Sequence, residues 1–194
     1  MAIHRVCVYC ASSNRCNPLY LDAAEQLGRL LARNGKTVVY GGGSAGLMGR
    51  LAEGALAEKG SIIGIIPGFM QRLEWGHPGL TELHEVENMH QRKLRMMQES
   101  EGIVALPGGT GTLEELLEAI TWKRLGLVTS PIVIVNINGF YDPLLDMFNR
   151  CIDENFMQAE HRIVWSVVES VEDVIDALHN APPWSRSAHS YAIV

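Results

Sequence analysis

Short unbroken apolar runs alternate with helix-periodic segments along nearly the whole chain, and that alternation leaves few folds open. Val6–Tyr9, Thr37–Tyr40, Ile62–Ile66, Ile103–Leu106 and Ile132–Ile137 have strand length, with a weaker run at Leu83–Val86 and a short one at Ile163–Val167. Several lack the polar alternation of a strand with one wet face, so they read as buried on both faces. Between them, Asn17 caps a segment with Pro18 in its first turn, where Leu19, Ala23, Leu27, Leu30 and Leu31 recur at helical spacing up to Asn34-Gly35. Further helices are expected over Leu47–Lys59, Met89–Ser100, Thr112–Leu125, Asp142–Glu154 and Ser170–Leu178. The expectation is an α/β fold, a mainly parallel central sheet covered by helices on both faces.

The length of 194 residues and mass of 21.4 kDa fit one domain, expected over 1–180. Residues 181–194 hold Pro182-Pro183 and small polar side chains, and read as a flexible C-terminal tail. Lys plus Arg number 16 and Asp plus Glu 22, a net charge of −6 that gives no support to a nucleic-acid partner. No apolar stretch approaches the length of a membrane span. Cys7, Cys10 and Cys16 crowd the start and Cys151 stands apart. With no secretory pattern read ahead of them, they are expected to be reduced thiols of a cytoplasmic protein. The histidines are scattered and no Cys/His cluster forms, so no metal site is expected.

In sheets of this kind ligands sit outside the C-terminal strand ends, and three loops there have unusual composition. Cys10-Ala11-Ser12-Ser13 offers hydroxyls to a phosphate or ribose, or is simply a polar turn before Pro18. Gly41–Gly49, GGGSAGLMG, satisfies G-x-G-x-x-G at Gly41, Gly43 and Gly46. It follows the second strand rather than the first, and Pro67 stands where a ribose-binding acid belongs, so the dinucleotide fingerprint is weak. What remains is backbone able to approach a ligand closely, or a structural turn. Pro107–Glu115, PGGTGTLEE, joins a buried run to a helix, and its glycines, Thr110 and Thr112 make an anion site at a helix N-terminus.

Glu115 has two readings. Thr112 and Glu115 have capping-box spacing; alternatively, one turn from a bound phosphate, Glu115 acts on the sugar as acid, base or charge stabiliser. The apolar stripe of that helix is read as Leu113, Leu116, Leu117 and Ile120, which leaves Glu114, Glu115 and Glu118 off it. A bound anion nearby is expected to raise the Glu115 pKa by like-charge repulsion. Met89-His90-Gln91-Arg92-Lys93 opens the preceding helix, either as a solvated cationic surface or with an arginine presented at the ligand. Trp122, Trp165 and Trp184 read as packing residues, and Trp75, in a loop, as a better candidate for ligand or partner contact.

Taken together, the Gly41–Gly49 loop, Met89–Lys93 and Pro107–Glu115 resemble the LOG family of cytokinin-activating phosphoribohydrolases, many once labelled lysine decarboxylases. The resemblance runs from about Val6 to Leu178 and takes in His77–Leu83 and Asn138–Leu145. It implies a Rossmann-like three-layer sandwich and a homodimer with active sites near the interface. The implied reaction cleaves the N-glycosidic bond of N6-modified adenosine 5′-monophosphates, and often AMP, to free base and ribose 5-phosphate, with no cofactor. The resemblance puts the essential arginine and glutamate on Arg92 and Glu115, the phosphate loop on Gly108, Gly109, Thr110, Gly111 and Thr112, and pocket-lining positions on Ser12, Gly43 and Met89. Lys93, inside the same motif, is grouped with the substrate-binding residues.

Two other functions compete, a broader nucleotide 5′-monophosphate nucleosidase and a non-catalytic nucleotide carrier. A carrier has no need of the Arg92 and Glu115 pair. Lysine decarboxylation needs an electron sink such as pyridoxal phosphate on a Schiff-base lysine, and Lys36, Lys59, Lys93 and Lys123 offer no convincing pocket for one.

Overall fold

The computed structural model describes residues 2–73 and 76–185. Trp75 and the end of the expected tail, 186–194, lie outside the described residues. Seven strands form one sheet: β1 Arg5–Tyr9, β2 Thr37–Tyr40, β3 Ile62–Pro67, β4 Glu82–Val86, β5 Gly102–Ala105, β6 Ile132–Val135 and β7 Ser166–Val168. Their order is β4-β3-β2-β1-β5-β6-β7 and every pairing is parallel. Val6 sits opposite Val38 on one side and Gly102 on the other, so β1 is central.

The alternation of side chains along each strand feeds two cores. Val6, Val8, Val38, Tyr40, Val104 and Val133 face α1 Pro18–Arg33, α2 Gly46–Ala57 and the short α7 Val174–Asn180. Cys7, Val39, Ile63, Ile103, Ala105 and Ile134 face α4 Met89–Gln98, α5 Thr110–Arg124 and α6 Asp142–Asp153. The result is the Rossmann-like three-layer sandwich, with both sheet faces covered as the unbroken apolar runs require.

Local chemistry sets the helix ends much as the sequence suggests. Asn17 Oδ1 accepts from Leu19 N at 3.0 Å and Pro18 opens α1. Leu27 and Leu31 are fully buried, each contributing about 2 kcal/mol of transfer free energy. Gly28 and Gly54 bring α1 and α2 to backbone contact: a Cβ on Gly28 would overlap Leu51 O, and one on Gly54 would overlap Glu25 O.

Three elements depart from expectation. Ile163 closes a 3-10 turn, Ala159–Ile163, and the last strand begins only at Ser166. The turn is stabilised by Gln158 and His161, each side chain bonding the other's backbone, a local cap that apolar content does not reveal. The loop after β3 holds a one-turn helix, α3 Gly68–Gln71. Within the segment read as tail, Trp184 packs on the α5 side of the sheet, its Nε1 donating to Lys123 O at 2.5 Å.

Candidate active site

The strand order reverses direction between β1 and β5, and the loops leaving those two strands splay apart there. A cavity of about 390 Å³ occupies that crevice. Its walls are Cys10–Ser13 after β1, Met48 on α2, Met70 on α3, Met89 and Arg92 on α4, and Gly109–Thr112, Glu114 and Glu115 from the α5 end.

Arg92 and Glu115 meet at the cavity floor. Arg92 Nη1 donates to Glu115 Oε1 at 3.2 Å, with both side chains nine-tenths buried or more. The same guanidinium donates through Nε to Ile65 O at 3.1 Å and through Nη2 to Gly41 O at 3.3 Å. Three of the five guanidinium N–H groups are thereby spent on the protein, and two remain for a ligand. A Cβ on Gly41 would overlap Arg92 Nη2. Gly41 is therefore a glycine because the arginine crosses it. Burial raises the Glu115 pKa above the ordinary carboxylate value; Arg92 and Lys93 pull it down, and Glu114 and Glu118 push it up. Burial is thus enough to raise it before any anion binds.

The capping-box reading of Thr112 and Glu115 does not hold. Helix α5 starts two residues earlier than expected, with Gly109 as its cap and no side-chain capping bond. The apolar stripe also shifts: Leu117 is 40% exposed, whereas Glu115 is 8% exposed. The cause is α4, whose Arg92 and Lys93 turn inward and make a buried polar face for α5. The solvated-surface reading of those two cations fails with it, since they are 6% and 5% exposed.

The start of α5 supplies the anion-ready end. Leu113 N makes the first helical bond, to Gly109 O, so the amides of Thr110, Gly111 and Thr112 have no intrahelical acceptor. A Cβ on Gly109 or Gly111 would meet open space, while one on Gly108 would overlap the Thr112 side chain. Gly108 therefore supports Thr112 from behind rather than lining the cavity, and Thr112 is buried.

Lys93 also misses the cavity wall. Its ammonium lies 2.7 Å from Glu114 Oε1 and 3.3 Å from Glu118 Oε2, on the flank of α5. Glu114 lines both the cavity and this flank.

A second cavity of about 350 Å³ adjoins the first, sharing Ser12, Met48 and Met70 with it. Its remaining wall is Gly41, Gly43, Ser44, Ala45 and Ile66, mostly apolar or small. Gly43 lies only here, and a Cβ on it would sit 3.1 Å from Met48 Cε. Gly46, at φ +63°, lets the Gly41–Gly49 loop touch the Cys10–Ser13 loop: a Cβ there would overlap the Ser12–Ser13 backbone. Gly46 N donates to Asn14 Oδ1 at 2.7 Å and Met48 N to Ala11 O at 3.1 Å, which stitches the two loops together.

The structure thus brings Ser12, Met89, Arg92, Gly109, Thr110, Gly111, Thr112 and Glu115 to one cavity and Gly43 to its neighbour. Sequence reasoning missed Met48, Met70 and Glu114. Met48 stood inside a quoted motif and Glu114 beside Glu115, but α3, which carries Met70, had no periodic signal at all. Cys7 and Cys10 are buried free thiols, with burial pushing both thiol pKa values up. Among the described residues, no group of three or more His, Cys, Asp or Glu is arranged to hold a metal ion.

Fold and site together define a Rossmann-like α/β protein with an anion-ready cavity at its topological switch point. A family model described as "Possible lysine decarboxylase" matches residues 48–178. The cytokinin riboside 5′-monophosphate phosphoribohydrolase LOG of Oryza sativa subsp. japonica is 39% identical over 197 residues, covering 97% of this chain and 81% of that protein. The corresponding enzyme LOG2 of Arabidopsis thaliana is 38% identical over 179 residues, covering 92% and 84%. The chain belongs to the LOG family. Among solved structures, the molybdenum cofactor carrier protein of Chlamydomonas reinhardtii superposes with a TM-score of 0.71 at 20% identity, over 93% of this chain and 98% of that one. At that identity the likeness is one of fold.

Proposed function

We propose that this chain is a cytoplasmic, homodimeric phosphoribohydrolase that cleaves the N-glycosidic bond of N6-modified adenosine 5′-monophosphates, and of AMP. The observation that carries the reading is the buried Arg92–Glu115 pair one helical turn from the free amides of Thr110–Thr112. Phosphate on those amides puts the ribose against Glu115, and the base then extends toward the adjoining cavity. That cavity's Met48, Ile66 and Met70 suit an apolar substituent on the base.

As the bond from C1′ to the base breaks, positive charge builds on the ribose. The Glu115 carboxylate stabilises that charge and orients the water whose oxygen bonds to C1′, and the proton this water gives up balances the one the departing base takes. Arg92, with two N–H groups unspent, holds the substrate and fixes the carboxylate. Among the described residues no lysine lines either cavity, so a Schiff-base decarboxylase finds no support in the site. The dimer is supported by exposed Leu117, Leu125 and Leu127 on and just beyond the α5 flank that Glu114 shares with the cavity. The cytoplasmic setting is supported by four free cysteines.

The test is product analysis on N6-isopentenyladenosine 5′-monophosphate, AMP, GMP and CMP, the matching nucleosides, and lysine. Base release from the N6-modified monophosphate and not from its nucleoside is expected. Equal turnover of all monophosphates would instead establish a general nucleosidase, and binding without turnover a carrier.

A further inference from the structure

Helices α4 and α5 bring five ionisable side chains together in a small volume: Arg92 and Lys93 from one, Glu114, Glu115 and Glu118 from the other. Three carboxylates share two cations, so the way they pair decides the charge on the central one. Arg92 is committed to Glu115 and to two carbonyls, and takes neither of the other acids. Lys93, buried beneath them, takes Glu114 at 2.7 Å and stands 3.3 Å from Glu118. Glu118 Oε2 is buried and accepts no hydrogen bond, so the Lys93 charge is what compensates it.

We propose that Lys93 is a positioning residue: by holding Glu114 and Glu118 it leaves Arg92 to Glu115 alone and keeps Glu115 ionised beneath the substrate. This rests on the hydrolase reading for its purpose, but not for its test. The other groups facing Glu115 are the Cys7 and Tyr9 side chains of β1 and the Cys10 thiol after it, all buried and neutral at working pH. Nothing from the sheet side therefore replaces the lysine. Glu114 and Glu118 both push the Glu115 pKa up, and Lys93 pulls it down. Losing the ammonium removes its pull and leaves Arg92 alone against burial and the push of two acids.

The test follows the Glu115 carboxyl carbon by ¹³C NMR titration of the full chain, with Glu115→Gln assigning the resonance. Lys93→Met keeps the stem and removes the charge; the midpoint is expected to rise by about one pH unit. Lys93→Arg should restore it, and Lys93→Met with Glu114→Gln and Glu118→Gln should bring it back to or below the parental value. If Lys93→Met fails to fold, Glu114→Gln with Glu118→Gln beside native Lys93 should lower the midpoint. A midpoint unmoved in these variants overturns the proposal. The titration needs no turnover, so an inactive parent protein would sink the hydrolase reading while leaving this measurement decisive. In an active protein the acidic limb of kcat/KM should move with the NMR midpoint at nearly constant KM. A raised KM with an unmoved limb would make Lys93 a direct substrate contact instead.

Discussion

Two lysines of this chain are buried almost completely and meet opposite fates. Lys93 is paired with two carboxylates, and the hydrogen bond to Glu114 leads the effects that raise its pKa. Lys123 continues the buried face of α5 after Leu116, Ala119 and Ile120, is 1% exposed, and forms no ion pair among the described residues. Burial lowers its pKa from 10.5 to about 8. Below pH 8 the folded and unfolded chains both carry the proton, and the folded state bears the whole cost of a buried charge. Between about 8 and 10.5 the unfolded chain binds a proton that the folded one does not, so stability rises with pH through that window. A shift from 10.5 to about 8 corresponds to about 3 kcal/mol. Lys123→Met keeps the apolar stem and leaves the backbone carbonyl that accepts from Trp184 in place. It should stabilise the protein by about 3 kcal/mol at pH 7 and by only about 1 kcal/mol at pH 10, where the native lysine is already neutral. Urea unfolding at both pH values measures the two differences. Equal differences at the two pH values, or a less stable variant at pH 7, would refute the account of Lys123 as an uncompensated buried charge.

Glu115→Gln should lower kcat by at least about 100-fold while nucleotide binding, read by calorimetry, stays within a few-fold of the parent; parental base release would remove Glu115 from the mechanism. Gly41→Ala places a Cβ on the Arg92 guanidinium, so kcat should fall sharply with little change in the far-ultraviolet dichroism. Unchanged kinetics would show that Arg92 need not lie across that glycine. Met70→Ser makes the wall shared by the two cavities polar, and kcat/KM for the N6-isopentenyl substrate should drop more than that for AMP. A proportional drop for both would place the substituent elsewhere.

Much of this was legible in one dimension. Unbroken apolar runs marked the five central strands, because a strand buried on both faces has no polar face to alternate. The resemblance of three motifs to LOG proteins also pointed to the residues that the switch point gathers. Helix phase was less legible. Glu115 carries a capping-box partner at the right spacing and sits between leucines, so its local pattern fits a surface acid. Only the inward turn of Arg92 and Lys93 from α4 makes that side of α5 an interior.

The glycines divide the same way. Composition announces a flexible backbone at Gly41–Gly49 but not its purpose, which is partly to make room: Gly41 for a guanidinium from residue 92, Gly46 for the loop after β1. Ile163 has the apolar content of a strand, yet a local cap between Gln158 and His161 winds it into a turn, a polar signal that a reading of apolar runs passes over. The sequence by itself determined the alternating elements, the family and the residue types at the strand ends. The tertiary structure alone decided which acid meets which cation, which buried lysine has no ion-pair partner among the described residues, and that a mostly apolar cavity adjoins the one at the α5 N-terminus. Strand and helix signals are carried by neighbours in the chain, whereas a charge pair or a cavity wall is set by the distance and rotation between packed elements.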